Sequence, residues 1–219
     1  MPAFRLGNQP VSIQKYDVAG QDSQTAPHFI RHVGLADEQR NDIRRNSEIS
    51  LVHMGPPLRQ GDAGKPIQAV GTAALTAGQI RQIGVFVDDL ISEYEAEKVR
   101  RQKQYVIHPH VREPDVDIPC RRFSCAGFVI EAYRDAGIDL VVTDPGRLPR
   151  VALETLQQAY RDQADRLRNP AIRSRFGLEG GPPWPVVLAG YVLNALNRTV
   201  DEIRRGPYTP ASGDEFFPP

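Results

Sequence analysis

Apolar and polar residues alternate most cleanly in two short runs, and these predict the first regular elements. His28 to Leu35 (HFIRHVGL) is apolar-rich and bounded by Pro27 and by the charged stretch after Ala36, as a strand would be. Ile49 to Met54 (ISLVHM) is a second strand, closed by Gly55-Pro56-Pro57, with Ile49, Leu51 and His53 on one face. The polar stretch Asp37 to Ser47 between them reads as a loop. Leu58 to Ala74, with Gly61, Gly64, Pro66 and Gly71, reads as another. Residues 1–26 have no clear period and read as an arm with one short strand.

After Thr76 the period lengthens. Thr76 and Gln79 form a capping box, and Ile80, Ile83, Val87, Leu90, Ile91 and Tyr94 recur at helical spacing up to a charged end near Lys103. Tyr105 to Ile107 reads as a short strand, and residues 108–120 (HPHVREPDVDIPC) hold too many prolines for a helix. Ser124 is placed to cap a helix from Cys125 to Ala136, whose apolar face is Phe128, Val129, Ala132, Tyr133 and Ala136. Gly137 follows where a left-handed residue ends a helix. Ile138 to Val142 reads as extended, Val151 to Arg168 as an amphipathic helix, 177–185 as a linker, and Pro185 to Arg205 as a last helix. The tail from Gly206 to Pro219 reads as irregular. The expected organisation is an N-terminal arm (1–26), a core (27–145), C-terminal helices (146–205) and a tail (206–219).

Composition narrows the classes. Apolar residues are 40% of 219, enough for a core, and 27 Lys plus Arg balance 27 Asp plus Glu. A net charge of zero gives no electrostatic case for nucleic acid or an anionic membrane. The pairs Arg44-Arg45, Arg100-Arg101, Arg121-Arg122 and Arg204-Arg205 read as solvated helix ends. The N-terminus has no secretory pattern, and the longest apolar stretch, Pro185 to Leu193, is far short of the roughly 20 residues of a span. A cytoplasmic protein without stable membrane insertion is expected. The apolar excess of the last helix suits either a buried helix or a homodimer contact through 185–205.

The candidate chemistry centres on Cys125. A helix N-terminus offers free backbone N–H groups and a positive dipole end, both of which favour a thiolate and an oxyanion beside it. Ala126 and Gly127 keep the approach uncrowded, and Arg121-Arg122 add positive potential. The bland alternative is a buried cysteine acting as a small hydrophobe. A rival constellation is a zinc site from His108, His110, Cys120 and Cys125; a Cys120–Cys125 disulfide is another. The five histidines, His28, His32, His53, His108 and His110, all precede Cys125.

The segment Phe123 to Val129, followed by Glu131-Ala132-Tyr133 and Ala136-Gly137-Ile138-Asp139-Leu140, resembles the nucleophile helix of the NlpC-type papain-like superfamily. Ser124 stands where that superfamily usually has an acid, and Ala126 where it has a serine. The order His–His–Cys is similar to the circularly permuted branch, which includes lecithin:retinol acyltransferase-like proteins and bacterial relatives. His32-Val33-Gly34-Leu35 resembles the strand that holds the base, and Val52-His53-Met54 the strand of the third polar member. Their separation of 21 positions is long for adjacent strands, so 37–47 would be an insertion.

The resemblance implies an α+β, permuted papain-like fold: a small antiparallel sheet carrying the His strands, packed on the Cys125 helix, with extra C-terminal helices. It implies cysteine-dependent hydrolysis or acyl transfer at an amide or ester through an acyl-thioester on Cys125, with His32 as base and His53 orienting it. No cofactor or metal is expected. The substrate would be a small peptide, a peptidoglycan fragment or an acyl-lipid. His108 or His110 is the alternative base; a catalytically inactive binding or structural module is the alternative function.

Overall fold

A computed structural model of the chain describes residues 3–55, 57–98 and 103–218. It is a mixed α+β fold with six α-helices and a six-stranded antiparallel sheet among those residues. The strands that build the sheet are β1 (Phe4–Arg5), β3 (Val18–Asp22), β4 (Ile30–Ala36), β6 (Glu48–Met54), β7 (Leu58–Pro66) and β8 (Ala69–Gly71), in the order β1-β8-β3-β4-β6-β7. Strands β2 (Val11–Ile13) and β5 (Arg40–Ile43) pair separately.

Both faces of the central strands are covered, and the period-two pattern decides which residue faces which layer. Val33 and Leu35 of β4 and Val52 and Met54 of β6 join the larger core with the helices. Ala36, Ile49 and Leu51 turn to a smaller core closed by Ile13 of β2 and Ile43 of β5. The larger core is built on α1 (Ala77–Ala96), α2 (Cys125–Asp135) and α5 (Ala189–Leu196). Edge-on contacts among Phe86, Phe123 and Phe128 help lock α2 against α1.

Several expected loops contain strands. The first 26 residues supply three, and β3 is central in the sheet although its sequence, VAGQD, is small and polar. The polar run 37–47 holds β5, whose single buried residue, Ile43, leaves no alternation to read. The glycine-rich run after Leu58 holds β7, which among the described residues lies at the edge of the sheet beside β6, where charged and glycine-containing sequence is tolerated. By contrast, Tyr105 and Val141, expected within short strands, make only isolated bridges, to Phe123 and Tyr208.

The C-terminal helices are shorter than their patterns suggest. The expected helix Val151 to Arg168 stops at α3 (Leu153–Ala159), and Tyr160 leaves helical geometry at φ −114°. Two 3-10 turns follow, and Asn169 caps a new helix, α4 (Pro170–Arg175), with proline at its start. The run Pro185 to Arg205 divides into α5 and α6 (Val200–Arg205), because Thr199 and Glu202 form a capping box inside it. Tyr191, Val192, Leu193 and Leu196 of α5 are buried within the chain, so the apolar excess that suggested a dimer contact is used internally. The tail has no regular element but packs: Phe217 is buried, and Phe216 bridges Phe29.

Helix α1 begins at the expected capping box, and part of its expected end, with Arg100-Arg101, lies outside the described residues. Arg122 is not a solvated helix end: it is buried and pairs with Asp115. No helix among the described residues is long and apolar enough to cross a membrane.

Candidate active site

Cys125 is the first residue of α2, and the chain before it is fixed from two sides. Strands β9 (Val111–Arg112) and β10 (Arg122–Phe123) pair just upstream, and the Ser124 hydroxyl caps the helix by accepting the Gly127 N–H at 2.9 Å. The loop carrying His110 crosses the first helical turn, with Ser124 N–H donating to the His110 carbonyl at 3.3 Å. A Cβ on Gly127 would lie 1.9 Å from that carbonyl oxygen, so this approach requires glycine.

The thiol meets β4 where the sheet opens. Pairing between β4 and β6 is confined to Leu35↔Val52 and Ala36↔Leu51. The Ala36 N–H turns toward β3, donating to the Asp17 carbonyl at 2.8 Å. Alternation therefore aims the Val33 N–H toward β6, beyond the end of that pairing. There the Val33 N–H faces the Cys125 thiol, as do the N–H groups of Cys125 and Ala126 and the Tyr105 hydroxyl. All four favour a thiolate. Yet Cys125 is only 2% exposed, and burial outweighs them and pushes the thiol pKa up. The expectation that the helix end and Arg121-Arg122 would depress it is corrected by this desolvation.

His32 on β4 and His53 on β6 are joined directly. Nε2 of His32 lies 2.8 Å from Nδ1 of His53, with the rings edge to face at 84°. Gly34 makes this approach possible: a Cβ there would stand 2.8 Å from the His53 Cβ. His32, His53 and Cys125 line one cavity of about 640 Å³, together with Tyr105, Tyr160 and Gln21. Gln21 is buried and is the cross-strand partner of His32. Tyr105 and Tyr160 hydrogen-bond through their hydroxyls, and burial raises both phenol pKa values far out of the neutral range.

The loop histidines are placed elsewhere. His110 Nε2 is 2.8 Å from Glu131 Oε1, and Glu131 also pairs with Arg134. His108 lines a separate cavity of about 360 Å³ with Arg112 and Trp184, and burial lowers its pKa. His28 occupies the left-handed turn before β4. Cys120 is buried, and desolvation with nearby Glu93 pushes its thiol up to about 11. Both thiols are free, so there is no Cys120–Cys125 disulfide. The zinc constellation does not assemble: among the described residues no group of three His, Cys, Asp or Glu side chains could hold a metal ion.

Sequence reasoning missed Tyr105, Tyr160 and Gln21. Tyr105 precedes a short apolar run and Gln21 sits in a strand without apolar alternation, so neither carried a signal. Compared with known proteins, the chain matches no family model, no curated protein and no solved structure.

Proposed function

We propose that the chain is a cysteine-dependent hydrolase or acyltransferase acting at an amide or ester, with the circularly permuted NlpC-type papain-like arrangement. The observation that carries this reading is the 2.8 Å contact between His32 and His53 in the cavity that Cys125 lines. A nucleophile, a base and a residue orienting the base are the parts such chemistry needs.

The tautomer that suits this role has His32 donating Nε2–H to His53 Nδ1, which leaves His32 Nδ1 as the basic nitrogen. Because burial raises the Cys125 pKa, the thiolate forms as His32 accepts its proton during attack, not as a standing anion. The sulfur then bonds to the substrate carbonyl carbon, and negative charge moves to the carbonyl oxygen, where N–H groups at the start of α2 can receive it. Collapse breaks the bond to the amine or alcohol, which leaves with the proton held on His32. The acyl group then passes to water or another acceptor: His32 takes the acceptor's proton, the acceptor bonds to the carbonyl carbon, the C–S bond breaks, and the Cys125 sulfur recovers its proton from His32. His53 stabilises the imidazolium between these steps.

The test is intact-mass spectrometry after incubation with activated acyl esters. Wild type should gain one acyl mass, located on the Cys125 peptide, and Cys125→Ala should gain none while melting close to wild type. No adduct on wild type, or an adduct that survives Cys125→Ala, removes the reading.

A further inference from the structure

The chain has no net charge, but the Cys125 cavity has a one-sided wall. Arg31, Arg59, Arg161, Arg166 and Arg175 line it, and no described Asp or Glu does. Arg31 is the strand neighbour of His32. Arg161, Arg166 and Arg175 come from the short segments between α3 and the end of α4, across the cavity from the sheet. Several arginines elsewhere have carboxylate partners, Arg5 with Asp22, Arg121 with Glu93, Arg122 with Asp115 and Arg134 with Glu131, while others such as Arg81 and Arg204 stand exposed without one among the described residues but are not gathered at a cavity. Among the described residues, Arg31, Arg161, Arg166 and Arg175 make no ion pair, and the Arg31 Nε is buried without a hydrogen-bond partner. The bond from Arg166 goes to the neutral Gln163, at 2.7 Å.

Like charges gathered at a cleft, as Arg31, Arg161, Arg166 and Arg175 are without a carboxylate partner among the described residues, repel one another, and an anion between them relieves that repulsion. Guanidinium groups match phosphate and carboxylate oxygens in pairs. The volume, about 640 Å³, is in the range of small-molecule sites. We infer that the acyl compound taken by this site is a small anion, its phosphate or carboxylate held by Arg161, Arg166 and Arg175 at the mouth with Arg31 deeper, its carbonyl presented to Cys125. This rests on the reading of Cys125 as the nucleophile; the anion site itself does not need turnover.

Two measurements separate the two claims. In the first, inorganic phosphate and succinate are titrated into Cys125→Ala by calorimetry. Saturable binding at millimolar concentration or tighter is expected, lost or weakened about tenfold or more in Cys125→Ala carrying Arg161→Gln and Arg166→Gln. Phosphate stronger than succinate assigns the group as phosphate; the reverse assigns a carboxylate. Absence of binding, or binding indifferent to the arginines, overturns the inference whether or not Cys125 is a nucleophile. In the second, acylation of wild type is compared for p-nitrophenyl acetate and mono-p-nitrophenyl succinate. The charged donor should be favoured about tenfold, with a ratio that falls in the double arginine variant and with added salt. A ratio near one in both proteins overturns the inference while leaving the nucleophile intact. Acylation by neither donor, with anion binding preserved, overturns the nucleophile and leaves the anion site.

Discussion

His32 and His53 are 21 residues apart in sequence yet bonded at 2.8 Å, whereas His108 and His110 sit two apart on the loop that leads into α2. The strand pair and, of the loop pair, His110 come near the first turn of the Cys125 helix. The strand pair shares a cavity with the thiol; the loop pair does not. Sheet pairing accounts for the first: β4 and β6 are hydrogen-bonded neighbours, and Gly34 lets His53 cross close to β4. Helix packing accounts for the second. The His110 carbonyl holds the Ser124 N–H, while its ring reaches Glu131, about two turns further along α2. The loop therefore positions Cys125 with its backbone, and the strands bring the imidazoles to its cavity.

Breaking the backbone half of this contrast should have the larger effect on folding. Gly127→Ala drives a methyl into the His110 carbonyl, and the loop must move or the helix start must unwind. A loss of at least about 3 kcal/mol is expected in chemical denaturation. A variant as stable as wild type would show that the loop does not seat α2.

Removing the ring of His110 should cost less. His110→Gln loses a part-buried bond to Glu131, worth about 1–2 kcal/mol. Cys125 reactivity should be unchanged when measured below the variant's melting point. A reactivity loss as large as that of a strand-histidine variant would erase the distinction between the pairs.

The smallest effect concerns the two thiols, which burial raises alike. Cys120 goes from an ordinary value near 9 to about 11 in the fold. Below pH 9 folded and unfolded chains both keep this proton. As pH rises toward 11 the unfolded chain releases it first, so stability falls across that interval. Cys120→Ala should flatten part of the fall in denaturation midpoints measured between pH 8 and 11. An identical slope in the variant would mean that Cys120 titrates normally.

Strong local signals in the sequence correspond to real features of the fold. The capping box at Thr76, the cap at Ser124, the left-handed Gly137 and the apolar alternation of Ile49 to Met54 all act within a few residues, and all appear where expected. What depends on distant partners was not legible. β3 is recognisable only by what flanks it, since its small residues leave room for α5 and its strand neighbours. The long His32–His53 spacing becomes intelligible once β5 is seen to leave the sheet and pair with β2. The broken stretch after Tyr160 has a helical pattern, yet Tyr160 turns out to meet Tyr105 and the cavity, bringing Arg161, Arg166 and Arg175 to its mouth. Separate arginines in a neutral chain carry no sign of convergence until the fold gathers them.

The central claim is that a strand histidine, not a loop histidine, takes the proton of Cys125. It is tested most directly by the iodoacetamide alkylation rate of the Cys125 peptide between pH 5 and 10, in wild type, His32→Gln and His110→Gln. Burial alone opposes the thiolate, so neutral-pH reactivity depends on a base. The rate near pH 7 should fall by on the order of 10²-fold or more in His32→Gln, with reaction recovered only at alkaline pH, while His110→Gln follows wild type. Superimposable profiles for wild type and His32→Gln, or a loss confined to His110→Gln, would contradict the claim.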